Sequence, residues 1–495
     1  MPFNLLQRLR SVNRKLIIIS GLIYLSLVFL FHGRLEFEQQ LDNRFKTVFF
    51  KRNPVHLYLK KNTSATSISH SLHSSLKNKM ELHVRNISTK PHVHIQANTP
   101  NFTLSDKNIN ITHAPNYKNC YQSSSNVGNN TFHRISDGIF IYSAYLDDRH
   151  STPFVRVMTI IAQRKYKLRY FCHFPGNFWT DGLVYQMCEN HNKHFGGYII
   201  SCPLPPSKPD QQKLFCSVSI SLKKNGDTNH SSFIPITKIR TNSQPFSYGI
   251  CIPPLFGNIS QEHLVEYIEL SKLLGVQHLY FYSFRLSDAA THVLEYYEKQ
   301  NTVTIIPWKL PVEIHDNTIW YNGQLIAHND CLYRSMSQVK MVAFNDLDEF
   351  IIPHNGSTWT DFVNKLSGEN ICGFSFWSAF FDPSTGRPHP SGLFTMSQTG
   401  RSAKFSQVRT KVLVEPLKIF EVGIHHVSKP NEEHYKMLRV DTNIAFLHHY
   451  RKCVSNYGMK CDKFIPDRAI YRYFDDLKTA FDSQLNIIRQ INSTA

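Results

Sequence analysis

From Gly138 onward, apolar residues fall into two regimes. Gly138–Tyr145 and Phe154–Ile161 are almost continuous apolar runs of strand length, with shorter runs of the same kind near residues 168–172 and 214–221. Residues 135–245 are therefore expected to form a β-rich lead-in that packs on the C-terminal half of the chain. After Tyr248 the pattern alternates between strand and helix. Gly249–Leu255 predicts a strand that stops at Pro253 and Pro254. Ser260 is a candidate N-cap for a helix over 261–274, whose apolar side carries Leu264, Val265, Ile268 and Leu273, with Gly275 as its stop. Strands over 276–282 and 303–307 bracket a helix over 289–299, and a third helix over 324–338 leads into the apolar run 340–344. This order predicts an α/β domain whose ligands meet the carboxyl ends of the strands.

Two stretches break the pattern. Residues 34–134 are rich in Asn, Ser, Thr, His and Lys without periodicity, which predicts a stem rather than a domain. Leu16–Gly33 is an apolar segment preceded by Arg8, Arg10, Arg14 and Lys15 with no acidic residue among positions 1–15. Its length suits a thin bilayer, and the charge bias places residues 1–15 in the cytoplasm and everything after 33 in a lumen. No small-x-small cleavage site follows it, so a signal anchor is preferred to a cleaved peptide. Asn-x-Ser/Thr sequons from Asn62 to Asn492 and ten cysteines agree with an oxidising, glycosylating compartment. Cys331 and Cys372, in apolar surroundings, are the candidates for unpaired thiols.

The net charge of +18 raises nucleic acid as a partner. The membrane segment, and the absence of basic runs interleaved with aromatics, argue against it; anionic nucleotide diphosphates, acidic glycans or membrane surfaces suit the charge.

The candidate chemistry is concentrated in Asn345-Asp346-Leu347-Asp348-Glu349. If this stretch continues a strand, Asp346 and Asp348 project to one side and Leu347 to the other. Two carboxylates converging at a strand end suit Mn²⁺ or Mg²⁺ shared with a diphosphate. There is no Gly-x-Gly-x-x-Gly after the first strand, so a dinucleotide fold is not indicated.

Several stretches then occur in a telling order: Ser143-Ala-Tyr-Leu-Asp147-Asp148-Arg149, Cys251-Ile-Pro-Pro-Leu255, Glu266–Val276, Gly323-Gln324, Asp330-Cys331-Leu-Tyr-Arg334, Asp346–Phe350, Lys411–Pro416, His425 and His449-Tyr450-Arg451. Together they resemble glycosyltransferase family 92, over about residues 138–475. The resemblance implies a GT-A (Rossmann-like, nucleotide-sugar-binding) fold over 246–485, a single-pass type II Golgi protein, and transfer of galactose from UDP-galactose to a glycan acceptor on glycoprotein or glycolipid, with inversion. It implies Asp348 as the direct metal ligand, Asp346 on the donor ribose or a metal-bound water, and His449 as a late histidine ligand, with His425 second. Gln324 and Asp330 would line the donor pocket, with helix packing as the plainer reading. Lys411 and Arg451 would pair with phosphate oxygens or else form ordinary ion pairs. Inversion needs a carboxylate base; Asp382, Glu415, Glu421 and Asp441 are the candidates, and Asp382 is preferred because it follows an apolar run. The rivals are a membrane-anchored glycan-binding protein, a transferase-like protein without turnover, and a nucleotide-sugar phosphatase or hydrolase.

Overall fold

The computed structural model describes residues 131–204, 215–225, 233–239, 244–456 and 459–494, all within one compact unit, Lys107–Ala495. The expected cytoplasmic tail, membrane anchor and nearly all of the stem lie outside the described residues. Among the described residues no helix is long and apolar enough to cross a membrane.

The lead-in holds eight strands: β1 (His133–Ser136), β2 (Ile139–Asp147), β3 (Phe154–Ala162), β4 (Tyr170–Phe174), β5 (Phe178–Gln186), β6 (Phe195–Pro203), β7 (Ser217–Ser221) and β8 (Ile234–Lys238). They run in the order β1-β2-β3-β6-β5-β4-β7-β8, and β8 returns to pair with β2, so the sheet closes into a barrel. Closure explains the unbroken apolar runs. Along β2, Ile139, Ile141 and Ala144 fill the barrel interior, whereas Phe140, Tyr142 and Tyr145 face outward into a second core shared with the rest of the chain. Cys172–Cys202 joins β4 to β6 within the barrel core.

The second part contains β9 (Phe246–Leu255), α1 (Gln261–Leu273), β10 (His278–Ser283), α2 (Asp288–Lys299), β11 (Val303–Pro307), α3 (Gln324–Ser335), β12 (Val339–Phe344), β13 (Glu349–Pro353), α4 (Trp359–Leu366), β14 (Ile371–Phe380), β15 (Gly400–Ser402), β16 (Ser406–Val414), β17 (Ile419–Val422), β18 (Val427–Pro430), β19 (Lys436–Arg439), β20 (Ala445–His449), β21 (Phe464–Pro466) and α5 (Phe474–Thr494). Ser260 caps α1 as its sequence predicts, its side chain accepting from the His263 amide.

The main sheet runs β11-β10-β9-β12-β16-β14-β20-β13, with β19 beside β14. Strands β11, β10, β9 and β12 are mutually parallel, and β16 adds antiparallel to β12. This is an α/β fold. The chain leaves β9 towards β10 on one side and returns to β12 on the other, so the strand order reverses between β9 and β12. At such a switch point the connecting segments diverge and leave a crevice beyond the carboxyl ends of the strands.

Helices α1 and α2 pack on one face of the sheet. On the other face α3 is buried along all twelve residues, because one side meets the sheet and the other meets the outer wall of the barrel. Its burial encloses polar residues as well as apolar ones, Gln324, His328, Asn329, Asp330, Arg334 and Ser335 among them. Cys331 of α3 is joined to Cys251 of β9 by a disulfide, so it is not one of the unpaired thiols; Cys372 is free and buried, and the second free thiol among the described residues is the exposed Cys188.

Candidate active site

Asp346 and Asp348 lie beyond the carboxyl end of β12, at the switch point beside β9, where the Asn345 amide donates to the Cys251 carbonyl (3.3 Å). They are not in a strand. Residues 345–348 form a tight link between β12 and β13, closed by the Glu349 amide donating to the Asp346 carbonyl (3.1 Å). The turn, rather than strand alternation, brings both carboxylates to the same end of the sheet. Each stays partly open to solvent, at 38% for Asp346 and 32% for Asp348.

His449, the last residue of β20, reaches this point because β20 pairs antiparallel with β13, opposing His449 to Glu349. Its Nε2 lies 3.5 Å from Asp348 Oδ2. Behind it, His449 Nδ1 and Glu349 Oε1 face each other at 3.6 Å, both buried and both without a hydrogen-bond partner. An imidazole that binds a cation through Nε2 carries its proton on Nδ1 and donates it to a neighbouring carboxylate. Two orphaned groups at this separation fit that arrangement, which a lone surface histidine does not need.

Lys411 of β16 occupies the floor. It is fully buried, with Nζ 3.0 Å from Asp346 Oδ2 and 3.1 Å from Glu349 Oε2. It is thus committed to two protein carboxylates, which corrects the phosphate-binding reading: the ammonium has no solvent-facing side to offer a donor. Glu349 also accepts from the Asp346 amide (2.9 Å), so it fixes the turn as well as facing His449. Burial pushes the Asp346 carboxyl up, but Lys411 outweighs it and holds the group at about 2. For Glu349 burial dominates despite Lys411, and its carboxyl rises to about 7. Two neutral histidines flank Lys411. Burial first, and Lys411 second, lower His328 and His425 each to about 3. His425 Nδ1 donates to the Thr410 carbonyl (3.1 Å), whereas neither ring nitrogen of His328 has a partner. His328 carries no signal of its own in the sequence, being one of several polar residues in α3, one turn after Gln324.

The remaining residues divide. Gln324 opens α3, which runs antiparallel to β12, so it stands at the site's end of the sheet one helical turn from His328; the His328 ring meets Phe344 at 5.3 Å. Arg451, just past His449, is exposed at the same rim. Asp330 is not in the site. It is fully buried and accepts from Tyr145 (2.7 Å), Arg334 (2.8 Å), Ser143 and Tyr282, which saturates its oxygens. It ties the barrel to α3 and β10, and no donor reaches it. Tyr145→Phe is accordingly expected to cost about 2 kcal/mol of stability, the value of a buried hydrogen bond to a charged group, in a chemical denaturation series, while leaving the KM for donor unchanged. Asp382 sits just past the end of β14, near the His449 backbone, but Oδ1 accepts from the Ser384 amide (2.9 Å) and Oδ2 from the Cys453 amide (2.8 Å). Burial raises its carboxyl, the hydrogen bonds from Ser384 and Cys453 outweigh that, and the net shift is downward. Those contacts make it an anchor for the loop closed by the Cys453–Cys461 disulfide, and a poor proton acceptor.

A switch-point crevice furnished with carboxylates and a histidine is where comparison with known proteins becomes informative. Residues 246–485 match the family described as Glycosyltransferase family 92. The beta-1,4-galactosyltransferase galt-1 of Caenorhabditis elegans is 29% identical over 381 residues, which cover 72% of this chain and 83% of that protein. A second family 92 protein of the same nematode is 25% identical over 211 residues, 41% of each chain. Among solved structures, glucosyl-3-phosphoglycerate synthase from Mycobacterium tuberculosis, in complex with Mn²⁺, UDP and phosphoglyceric acid, shares 13% identity at a TM-score of 0.24, covering 42% of this chain and 72% of that one. The galactosyltransferase LgtC, in complex with donor and acceptor sugar analogs, shares 9% identity at a TM-score of 0.22, covering 48% and 96%. Structural likenesses that low carry no weight for this chain; the sequence matches do. The protein is a glycosyltransferase. Its sheet domain, residues 246–485, belongs to glycosyltransferase family 92.

Proposed function

We propose that the protein is a GT-A galactosyltransferase that moves galactose from UDP-galactose to a glycan hydroxyl, with inversion, at the carboxyl end of β12. The observation that carries this reading is the meeting of Asp348 and His449 at the switch point, backed by the unpaired Oε1 of Glu349 behind His449. A divalent cation, Mn²⁺ or Mg²⁺, would be held by Asp348 and His449, with Asp346 beside them, and supplies the positive charge that makes a nucleoside diphosphate a workable leaving group. Lys411 holds the Asp346 carboxylate ionised and in place. Glu349 orients the His449 ring so that Nε2, not Nδ1, faces the site. Gln324 and Arg451 stand at the rim, where donor atoms would pass. The galactose donor is favoured by the similarity to a beta-1,4-galactosyltransferase over most of both chains. Placement as a single-pass type II Golgi protein rests on the apolar segment 16–33 and its flanking charge.

The test uses the full chain purified in detergent micelles, with UDP release measured across a panel of UDP-sugars. UDP-galactose with Mn²⁺ is expected to be turned over fastest, and EDTA to lower the rate by about 100-fold or more. Turnover unaffected by EDTA would remove the metal from the reading. No turnover of any UDP-sugar by folded protein would leave a binding protein instead.

A further inference from the structure

A second cluster of metal-ligating side chains lies away from this site. Cys188 and Glu189 follow β5 at the end of the barrel, and His426 stands in the turn between β17 and β18; one donor atom from each lies within 4.8 Å of the other two. Cys188 Sγ is 3.8 Å from His426 Nε2. Bonds of about 2.3 Å to sulfur and about 2.0 Å to nitrogen at a tetrahedral angle put these atoms roughly 3.6 Å apart.

Three further observations bear on the cluster. Every other described cysteine except the buried Cys372 is in a disulfide, yet Cys188 is free and exposed. Glu421, whose Oε1 accepts from the Cys188 amide (2.8 Å), adds a second carboxylate next to Glu189, so the surroundings of the thiol favour a cation. Finally, Gly423 leaves room beside two of the three side chains, Glu189 and His426. A Cβ there would collide with Glu189 Oε2 and lie 2.9 Å from Ser428 Oγ and 3.1 Å from the His426 ring.

We propose that Cys188, Glu189 and His426 form a zinc site. A thiolate, an imidazole and a carboxylate are the donor set of a three-ligand Zn²⁺ site with a fourth position open to water, and exposure supplies that water. Binding releases the thiol proton to solvent. The ion would staple the barrel to the β17–β18 hairpin. That hairpin is built against the transfer site: Val422 exchanges hydrogen bonds with Asn329 of α3 (2.9 and 3.0 Å), and His425 bonds Thr410 next to Lys411. Bound there, the zinc holds in place the segment carrying one of the neutral histidines beside Lys411.

The experiment takes the full chain in detergent micelles, stripped with chelator, with Asp348→Ala as background so that the transfer site binds metal only weakly. Zn²⁺ is expected to bind at one equivalent, and Co²⁺ to give a thiolate-to-metal charge-transfer band; both are lost in Cys188→Ser and in His426→Asn and kept in Cys372→Ser. A second readout needs no variant at the cluster: Zn²⁺ is expected to slow alkylation of Cys188, mapped by mass spectrometry, about tenfold or more. Absence of a stoichiometric Zn²⁺ in the folded Asp348→Ala chain, or Co²⁺ bound without a thiolate band, or alkylation indifferent to Zn²⁺, would overturn the proposal. None of these readouts depends on sugar transfer.

Discussion

Asp348→Ala is expected to lower Mn²⁺-dependent turnover of the donor by about 100- to 1,000-fold while the protein stays folded, the loss seen when one group that neutralises developing charge is removed. The two halves of that expectation come from the same geometry. Asp348 is a third exposed, and its side chain meets His449 at 3.5 Å. Its structural duty is done by its backbone, whose carbonyl accepts from the Tyr450 amide (2.8 Å), and alanine keeps that bond. A thermal melt should therefore move little, within the ordinary range of surface substitutions. Activity should fall because the cation loses a carboxylate while the histidine remains. Raising Mn²⁺ should recover part of the rate, and the apparent Mn²⁺ affinity should weaken more than donor affinity measured with metal at saturation. A variant that melts normally and keeps its Mn²⁺ dependence would show that Asp348 is not a ligand.

Much of this site is legible in the amino-acid sequence. Asp346 and Asp348 lie far along the chain from His449, yet their order among the family-like stretches marks all three. The helices and parallel strands from 249 to 344 are readable because each is a local object, set by period and cap, although β9 runs through Pro253 and Pro254 to Leu255 instead of stopping at them. Barrel closure is not readable, since it pairs β8 with the distant β2, with Ile236 opposite Ala144, and no local pattern reports such a partner. The misreadings of Asp330 and Lys411 share one cause. A charged residue within a family-like stretch looks like a ligand contact when its partner is invisible, and the partners of these two are Arg334 with three hydroxyls in one case, and two carboxylates in the other. His328 is hidden for another reason: α3 mixes Gln324, Asn329, Asp330, Arg334 and Ser335 with its apolar residues, so one more polar residue does not stand out.

Lys411→Met is expected to be the most destabilising single change at the site, by about 3–5 kcal/mol, because it deletes the cation and keeps two carboxylates next to the vacated, water-poor position. Methionine matches the length of the lysine stem, so cavity formation contributes little and charge dominates. Glu349 is 1% exposed and Lys411 fully buried, so solvent does not screen that contact, whereas the Asp346 contact is partly screened. The pH dependence separates charge from packing. Asp346 sits at about 2, below the usual carboxylate range near 3.8, so its pairing with Lys411 stabilises the fold fully above that range and is lost as the pH falls towards 2. Glu349 is raised to about 7, so its contribution has the opposite sign: present at low pH, and lost as the pH rises from the usual glutamate value through 7. Without Lys411 both carboxyls rise, and the variant should be most deficient near neutral pH and recover as the pH drops towards about 5. Adding Asp346→Asn to Lys411→Met removes the carboxylate that stays ionised at neutral pH and should restore about half of the lost stability in denaturant titrations at about pH 7.5. If the single variant is equally destabilised at about pH 5 and about pH 7.5, and the double variant regains nothing, packing rather than charge explains the loss, and Lys411 does not act as the counter-ion that holds Asp346 for the donor.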